Sequence, residues 1–294
     1  MNMAEYHEED RMALNFKQDL TAVFGHPVAE NPTQVMAEAA YVHHDLNWRY
    51  LTVEVLPEDL PAAVAGARAM GFGGFNLTIP HKVAVIPHLD GLGESAEVIG
   101  AVNCVVRRGE KLIGENTDGR GFLESLREVI DPRGARVTMI GAGGAARAIA
   151  VELALAGATS VTIINRSEKR GAELVEYLQN RLDCEVTRAP WSSAISVPNG
   201  TDVLINATSI GLYPDVTGCP PVDFTSVPKD TVVADVIPNP PRTPFLEGAA
   251  KRGCRTIDGL GMLINQGRIG ITYWTGVNPD PTVMRTALEA VFAD

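Results

Sequence analysis

The chain has few of the features expected of membrane, secreted or metal-binding proteins. No apolar run reaches the ~18 residues that a membrane-spanning helix needs. The four cysteines are scattered without a C-x-x-C pair, which favours reduced thiols over a disulfide framework or a zinc site. The stretch Met1–Asp10 is polar and acidic, unlike a signal peptide. We therefore expect a cytoplasmic protein with no metal site and no membrane partner.

Basic residues are also in deficit. The chain has 25 Lys and Arg against 36 Asp and Glu, a net charge of −11, which argues against nucleic acid as the main partner. A hydrophobic content of 45% is ordinary for a globular enzyme, and 294 residues suit about two domains. The remaining partner class is a small-molecule substrate, bound by a monomer or a homodimer.

The stretch Arg136–Arg147 (RVTMIGAGGAAR) predicts a phosphate-binding turn. An apolar strand is expected to break at Gly141, and an Ala-rich helix is expected to follow. Gly141 allows a tight turn, and Gly143 lets the backbone approach a pyrophosphate, which then faces the free N–H groups of the helix. An ordinary strand–helix connection is the alternative, but the flanking strand and helix favour a dinucleotide site. The predicted cradle comprises Gly141, Ala142, Gly143, Gly144 and Ala145.

The tip of the next predicted strand distinguishes NAD from NADP. A carboxylate there would bind the ribose hydroxyls of NAD, but this strand ends in Asn165-Arg-Ser-Glu-Lys-Arg170. A guanidinium can bind a 2′-phosphate through two hydrogen bonds. We therefore predict NADP, recognised by Asn165, Arg166, Ser167 and Arg170. A solvated basic turn is the alternative.

Strands and helices alternate along most of the chain, which predicts an α/β fold with a mostly parallel sheet covered on both faces. The region before residue 116 has the same alternation but no nucleotide fingerprint. A hairpin is expected there, with strands over 102–107 and 111–113.

Lys82 is the first candidate for acid/base chemistry. It follows a predicted strand, in the first turn of a short helix, where an ammonium opposes the helix dipole. Such a placement suits a proton-transferring group, although a surface lysine is the simpler interpretation. Asp118 taken singly is most simply the N-cap of a helix predicted over 120–129. Asn103 and Gln266 taken singly are ordinary polar residues.

Eight short motifs together resemble the shikimate dehydrogenase family, which includes quinate/shikimate dehydrogenases. They occur in the family's order and spacing over roughly residues 20–290. The motifs are Asn76-Leu-Thr-Ile-Pro-His-Lys82, Gly100-Ala-Val-Asn103, Asn116-Thr-Asp-Gly119, Gly141-Ala-Gly-Gly-Ala145, Asn165-Arg-Ser167, Asn206-Ala-Thr-Ser209, Thr243-Pro-Phe245 and Asp258-Gly-Leu-Gly-Met262.

The resemblance implies two α/β domains with a cleft between them. Residues 1–118 and 259–294 would form the catalytic domain, and residues 119–258 a Rossmann-like NADP-binding domain. It implies NADP-dependent interconversion of shikimate and 3-dehydroshikimate, with Lys82 and Asp118 as the catalytic pair. The implied substrate-binding residues are Asn31, Thr33, Asn76, Thr78, Asn103 and Gln266. Val236, Gly259 and Met262 would complete the cofactor site, near the nicotinamide.

Two positions depart from the family pattern. The family's carboxylate-binding loop usually carries Ser-x-Ser-Pro, but here Asn31 and Thr33 occupy the serine positions. The loop after Asp235 usually carries a tyrosine that donates to the substrate, and here Pro238 stands in its place. Both changes fall at the carboxylate end, so we expect the redox step to be kept and the substrate to be open to change.

Three alternatives follow. Quinate or an amino analogue could replace shikimate within the same enzyme class. A non-catalytic metabolite-binding regulator is disfavoured by the intact Lys82/Asp118 pair and by the lack of an added DNA-binding segment. An enzyme of the methylene-tetrahydrofolate dehydrogenase type is disfavoured by the Asn-Thr-Asp-Gly and Asp-Gly-Leu-Gly-Met motifs.

Overall fold

Two six-stranded sheets organise this computed structural model, which describes residues 16–292. The stretch Met1–Asp10 therefore lies outside the described residues. The first sheet contains β1 (Asp19–Gly25), β2 (Trp48–Glu54), β3 (Gly74–Leu77), β4 (Gly91–Leu92), β5 (Cys104–Arg108) and β6 (Lys111–Glu115). The second contains β7 (Arg136–Ile140), β8 (Ser160–Ile164), β9 (Glu185–Ala189), β10 (Val203–Asn206), β11 (Val232–Asp235) and β12 (Arg255–Ile257).

Helices cover the faces of both sheets. They are α1 (Thr33–His43), α2 (Leu60–Ala69), α3 (His81–Ala84), α4 (Glu94–Ile99), α5 (Asp118–Arg127), α6 (Gly144–Leu155), α7 (Glu168–Gln179), α8 (Pro244–Arg252), α9 (Gly259–Thr275) and α10 (Pro281–Phe292). Across residues 16–292, none of these combines the length and apolarity needed to cross a membrane.

The second sheet has the strand order of a dinucleotide-binding fold. All its strands are parallel, in the order β12-β11-β10-β7-β8-β9. The order reverses between β7 and β10, and ligands bind at such switch points beyond the carboxyl ends of the strands. The predicted glycine-rich turn follows β7 and therefore lies at this position.

The first sheet is mixed rather than parallel. Strands β1, β2 and β3 are parallel, but β5 runs antiparallel to both β3 and β6, as the predicted hairpin requires. Its apolar core contains Met36 and Tyr41 of α1 together with Met284 and Leu288 of α10. The last two helices thus return to pack on the first sheet, so the α/β prediction of two units is confirmed.

Three helices begin at a capping residue that the sequence supplies, whereas the cap predicted at Asp118 is not formed. Ser167, Thr243 and Asp258 each accept a hydrogen bond from the first turn of the helix that follows. Asp118, predicted as the cap of a helix over 120–129, is instead the first residue inside α5, and Thr117 precedes it without a side-chain cap bond. That prediction was wrong because the Asp118 carboxylate bonds residues from other elements.

Candidate active site

A pocket of about 200 Å³ collects all the residues predicted for catalysis and substrate binding. Its polar members are Asn31, Thr33, Asn76, Thr78, Lys82, Asn103, Asp118 and Gln266. Val236, Pro238, Gly259 and Met262 line it from the loop after β11 and from the start of α9. Elements that are far apart in the sequence therefore meet at one cleft, and both sheets contribute residues to it.

Lys82 and Asp118 form an ion pair at the centre of this pocket. Lys82 Nζ donates to Asp118 Oδ2 at 2.6 Å, and the Asn103 amide donates to Asp118 Oδ1 at 2.8 Å. Helix α3 has only four residues, so its dipole contributes little. The position of the ammonium is set instead by a carboxylate whose two oxygens both accept hydrogen bonds, one from Lys82 and one from Asn103.

A buried network fixes Asn103. Its side-chain oxygen accepts from the Thr117 backbone N–H at 2.7 Å, and its amide also donates to Thr117 Oγ1 at 3.0 Å. The Thr117 hydroxyl lies 3.4 Å from Gln266 Oε1. Sequence reasoning did not single out Thr117, although it lies inside the Asn-Thr-Asp-Gly motif. This threonine joins the start of α5 to the middle of α9.

Tyr50 is a second residue that the sequence did not reveal. Its hydroxyl donates to Asn76 Oδ1 at 2.7 Å, while the Asn76 amide donates to the Asn103 carbonyl at 2.9 Å. Burial raises the pKa of Tyr50 well above its ordinary value, so the phenol stays protonated as a donor. Tyr50 thereby fixes which side of the Asn76 amide faces the pocket. On sequence alone it is a core residue of β2.

The opposite end of the pocket has fewer internal partners. Asn31 Oδ1 accepts from the Thr33 backbone N–H at 3.0 Å, which closes the turn before α1. Pro238 contributes a ring without a donor. Among the described residues that line the pocket, Lys82 is the only cation. No phenol and no second positive charge therefore face this end.

The glycine-rich turn fits a dinucleotide phosphate. Gly141 has φ +118°, and a Cβ there would lie 2.7 Å from the Ala207 carbonyl oxygen, so a larger residue is excluded. In contrast, added Cβ atoms at Gly143 and Gly144 would meet no protein atom within 4 Å. Gly143 precedes α6 with no side-chain cap, which leaves the helix N–H groups open to an anion.

A second pocket of about 400 Å³ extends from this turn along α6 and α7. It is lined by Ala142, Gly143, Gly144 and Arg170 of the predicted cofactor set, with Ala145 beside it in the chain. Asn165 and Ser167 shape the turn instead, since the Asn165 amide donates to the Ser167 carbonyl and Ser167 caps α7. Arg166 is exposed and does not line this pocket.

Arg147 also lines the second pocket and was not among the predicted residues. Its guanidinium lies 5.0 Å from the ring centroid of Tyr177, an aromatic contact that holds the cation beside the glycine turn. The sequence could have revealed Arg147, because this arginine ends the glycine-rich stretch. In the structure it is the fourth residue of α6. Two arginines, Arg147 and Arg170, therefore face the space in which a cofactor phosphate would lie.

Comparison with known families covers most of the chain. The shikimate dehydrogenase substrate binding domain matches residues 23–105. The shikimate / quinate 5-dehydrogenase family matches residues 125–213, and the shikimate 5′-dehydrogenase C-terminal domain matches residues 259–289.

Individual relatives are similar over nearly their whole lengths. The chain is 41% identical to a shikimate dehydrogenase (NADP(+)) of Methanococcus aeolicus, over 94% of this chain and 98% of the relative. A ligand-free crystal structure of 5-ketofructose reductase from Gluconobacter is 53% identical, with a TM-score of 0.92 over 95% of this chain and 100% of that one. Shikimate 5-dehydrogenase from Thermus thermophilus, in complex with NADP(H) and shikimate, is 34% identical, with a TM-score of 0.81 over 93% and 99%.

Proposed function

This chain belongs to the shikimate dehydrogenase family, and on that premise we propose that it is an NADP-dependent oxidoreductase that interconverts shikimate and 3-dehydroshikimate. The observation that carries the proposal is the Lys82–Asp118 pair, 2.6 Å apart in a pocket that Gly259 and Met262 also line. This geometry supports Lys82 as the group that exchanges a proton with the substrate alcohol.

In the oxidation direction, a secondary alcohol must lose a hydride from carbon and a proton from oxygen. Lys82 in its neutral form takes the hydroxyl proton, and Asp118 holds the amine in position. In the reverse direction the Lys82 ammonium donates that proton to the oxygen of the ketone.

The proposed cofactor residues are those of the glycine turn and the arginines beside it. Gly143 and Gly144 leave room for the pyrophosphate at the start of α6, and Arg147 and Arg170 supply cations for the 2′-phosphate. Val236, Gly259 and Met262 form the wall for the nicotinamide. Bound there, NADP supplies the hydride acceptor or donor.

The proposed substrate contacts follow the same pocket. Asn76, Thr78, Asn103 and Gln266 offer amide and hydroxyl groups to the ring hydroxyls of the substrate. Asn31 and Thr33 face the end at which a carboxylate would lie.

A second candidate substrate is 5-ketofructose, which is a neutral polyhydroxy ketone. The 53% identity to the 5-ketofructose reductase of Gluconobacter, against 41% to the shikimate dehydrogenase of Methanococcus aeolicus, supports this candidate. The pocket supports it too, because the end that carries Asn31, Thr33 and Pro238 offers no phenol and no cation to a carboxylate. The relatives do not favour quinate or an amino analogue as the substrate, and they do not favour a non-catalytic regulator.

The test measures NADPH and NADH oxidation by the purified full chain with 3-dehydroshikimate, 3-dehydroquinate and 5-ketofructose. Turnover with NADPH and 3-dehydroshikimate as the best substrate supports the leading proposal, and preference for 5-ketofructose selects the second candidate. Binding of a substrate without any hydride transfer would overturn both.

Cofactor choice has its own test. Arg170→Ala and Arg147→Ala are each expected to raise KM for NADPH about tenfold while leaving KM for NADH nearly unchanged, since each removes a cation facing the 2′-phosphate. Arg181→Ala is the matched control, because Arg181 also stacks on Tyr177 but does not line the second pocket. An equal effect on both cofactors would contradict the assignment.

We also propose that residues 1–118 and 259–294 form the catalytic domain and residues 119–258 the cofactor domain. The return of α9 and α10 to the first sheet supports this division. A cytoplasmic location is supported by four free cysteines. Light scattering on the purified chain decides between monomer and homodimer, and a larger assembly would contradict both.

A further inference from the structure

A cavity of about 610 Å³ lies on a different side of the helices that build the active site, and it shares no lining residue with the substrate pocket. We call it the rear cavity. Helices α4, α5, α6 and α9 form its walls. Its volume lies in the range of small-molecule sites, roughly 300–1,000 Å³. Its polar residues include Ser95, Arg120, Arg127, Glu152, Arg268 and Tyr273.

Two buried polar atoms in the rear cavity have no hydrogen-bond partner. Glu152 is 5% exposed and Ser95 is 4% exposed, yet neither Glu152 Oε1 nor Ser95 Oγ makes a hydrogen bond within residues 16–292. The Arg120 guanidinium approaches Glu152 Oε1 only to 3.6 Å, which is too long for a good hydrogen bond. Burial raises the pKa of Glu152, and the nearby Ser95 hydroxyl and Arg120 guanidinium partly offset that rise. Buried polar atoms usually have well-formed hydrogen bonds, so Glu152 Oε1 and Ser95 Oγ keep hydrogen-bonding capacity for a ligand.

The same cavity carries positive charge on other walls. Arg127 donates to Glu124 at 3.0 Å, and Arg268 lies 3.8 Å from the other oxygen of the same carboxylate. Two guanidinium groups therefore share one carboxylate and keep hydrogen-bond donors for an anion. Arg120 donates to the Tyr273 hydroxyl, and its Nε lies 3.6 Å from Glu152 Oε1.

We propose that the rear cavity binds a small zwitterion of the amino-acid class. An ammonium donates to Glu152 Oε1 and Ser95 Oγ, and a carboxylate accepts from the arginine side. Three glutamates and three arginines line the cavity, so a ligand without net charge suits it better than a simple anion. Leu123, Leu155 and Ile269 add apolar surface for a hydrocarbon side chain.

The rear cavity touches three helices that also carry active-site residues. Helix α5 places Asp118 in the active site and Arg120 in the rear cavity, and α9 does the same with Gln266 and Arg268. Helix α6 begins at the glycine turn and reaches the rear cavity at Glu152. A ligand there would contact all three helices without touching the reacting atoms.

The proposal is tested by calorimetric titration of the full chain, without cofactor, against a panel of amino acids that includes L-leucine. Leucine analogues that lack one charge, 4-methylpentanoate and 3-methylbutylamine, are titrated in parallel, with inorganic phosphate as the simple anion. We expect at least one amino acid to bind and the analogues of leucine to bind at least about tenfold more weakly than leucine. Failure of every amino acid to bind, or equal binding of either analogue, or binding of phosphate alone, would overturn the proposal.

Variants locate the site. Glu152→Gln and Ser95→Ala are expected to weaken amino-acid binding, the former about tenfold, with little change in kcat for the reaction. Glu128→Gln, an exposed position at the end of α5 outside the rear cavity, is the matched control. Ser95→Ala removes only a hydroxyl, so it remains informative if Glu152→Gln does not fold. If a folded variant of either residue binds the amino acid as tightly as the unsubstituted chain does, the ligand lies elsewhere and the assignment to the rear cavity is wrong. Because binding is measured without turnover, this result is independent of the proposed reaction.

Discussion

At one end of the substrate pocket, Lys82, Asp118 and Asn103 are joined by direct hydrogen bonds, and Asn103 is held by buried Thr117. At the other end, Asn31 bonds only the backbone of its own turn, and Pro238 has no donor. Lys82 and Asp118 lie in the first turns of helices and Asn103 immediately precedes β5, whereas at the second end Asn31 and Pro238 are loop residues and only Thr33 begins a helix. Substitution at the second end therefore disturbs few contacts, while substitution at the first breaks a connected network.

This contrast suits an enzyme that keeps its redox step while its substrate changes. The residues proposed to transfer the proton are held by one another, so a change in one disturbs its neighbours. Asn31 and Pro238 have few side-chain bonds within residues 16–292, so these positions can change at a smaller cost to the rest of the pocket. Four predictions test the contrast, from the largest expected effect to the smallest.

Lys82→Ala is expected to lower kcat/KM for the best substrate by about 10²–10⁴-fold, because the proton donor and acceptor is lost. The binding of NADPH, followed by fluorescence, should change little. Lys169→Ala is the control, since that lysine is on the surface of α7 and pairs only with Glu173 one turn away. Full turnover by Lys82→Ala would show that the proton takes another route.

The pocket end that carries Asn31, Thr33 and Pro238 is called the variable end. Asp235 lies beside it in the chain, since it immediately precedes Val236. Burial raises its pKa from 3.8 to about 6, so the neutral form is favoured in the folded chain. The resulting stabilisation is complete below the pKa that Asp235 has in the unfolded chain. It is lost as pH rises through the pKa that Asp235 has in the folded chain. The free energy of unfolding should therefore fall between about pH 4 and pH 6.5, by up to about 3 kcal/mol from this group.

Asp235→Asn isolates that contribution. The amide oxygen can still accept from the Asn206 amide and the Ile237 N–H, which now bond Asp235 Oδ1, but the side chain no longer ionises. Denaturant unfolding across the pH range should show a flatter decline in the variant. Parallel declines in the two proteins would mean that Asp235 does not ionise in this window.

Restoring the family residues at the variable end is expected to change substrate preference. The triple variant Asn31→Ser, Thr33→Ser and Pro238→Tyr should raise kcat/KM for shikimate relative to 5-ketofructose by about tenfold, because a hydrogen-bond donor again faces the carboxylate. The matched control carries Pro238→Phe instead, which has the ring without the hydroxyl. If the phenylalanine variant shifts preference equally, shape rather than hydrogen bonding sets the choice.

Tyr50→Phe should have the smallest effect. It removes one buried hydrogen bond to Asn76, worth about 1 kcal/mol, so KM for the substrate should rise about fivefold with kcat nearly unchanged. Tyr41→Phe is the control, because its hydroxyl is equally buried in the same core but bonds Thr21 instead. Equal changes in KM in the two variants would remove the role assigned to Tyr50 in orienting Asn76.

Most long elements were predictable, because hydrophobic periodicity and Gly/Pro punctuation agree there. The apolar strand predicted to break at Gly141 matches β7, which ends at Ile140, and the Ala-rich helix predicted after it matches α6. Missed elements were short or polar. Strand β9 (Glu185–Ala189) pairs on one side only and exposes most of its residues, so it has no apolar pattern. Helix α4 has six residues, too few to show a helical period.

The sequence by itself determined the cofactor turn, since Gly141 and its neighbours impose a backbone shape that requires no distant partner. The motifs also contained Asn76, Thr78, Lys82, Asn103 and Asp118, and the family resemblance added Asn31, Thr33 and Gln266. Only the tertiary structure decided which contacts hold those side chains: it showed that Asp118 is not a helix cap but bonds both Lys82 and Asn103, and it brought Tyr50 of β2 to Asn76 of β3 across the intervening strand β1. The rear cavity likewise exists only in the folded chain. The physical reason is that backbone geometry depends on adjacent residues, whereas hydrogen bonds between side chains depend on which distant elements share a core.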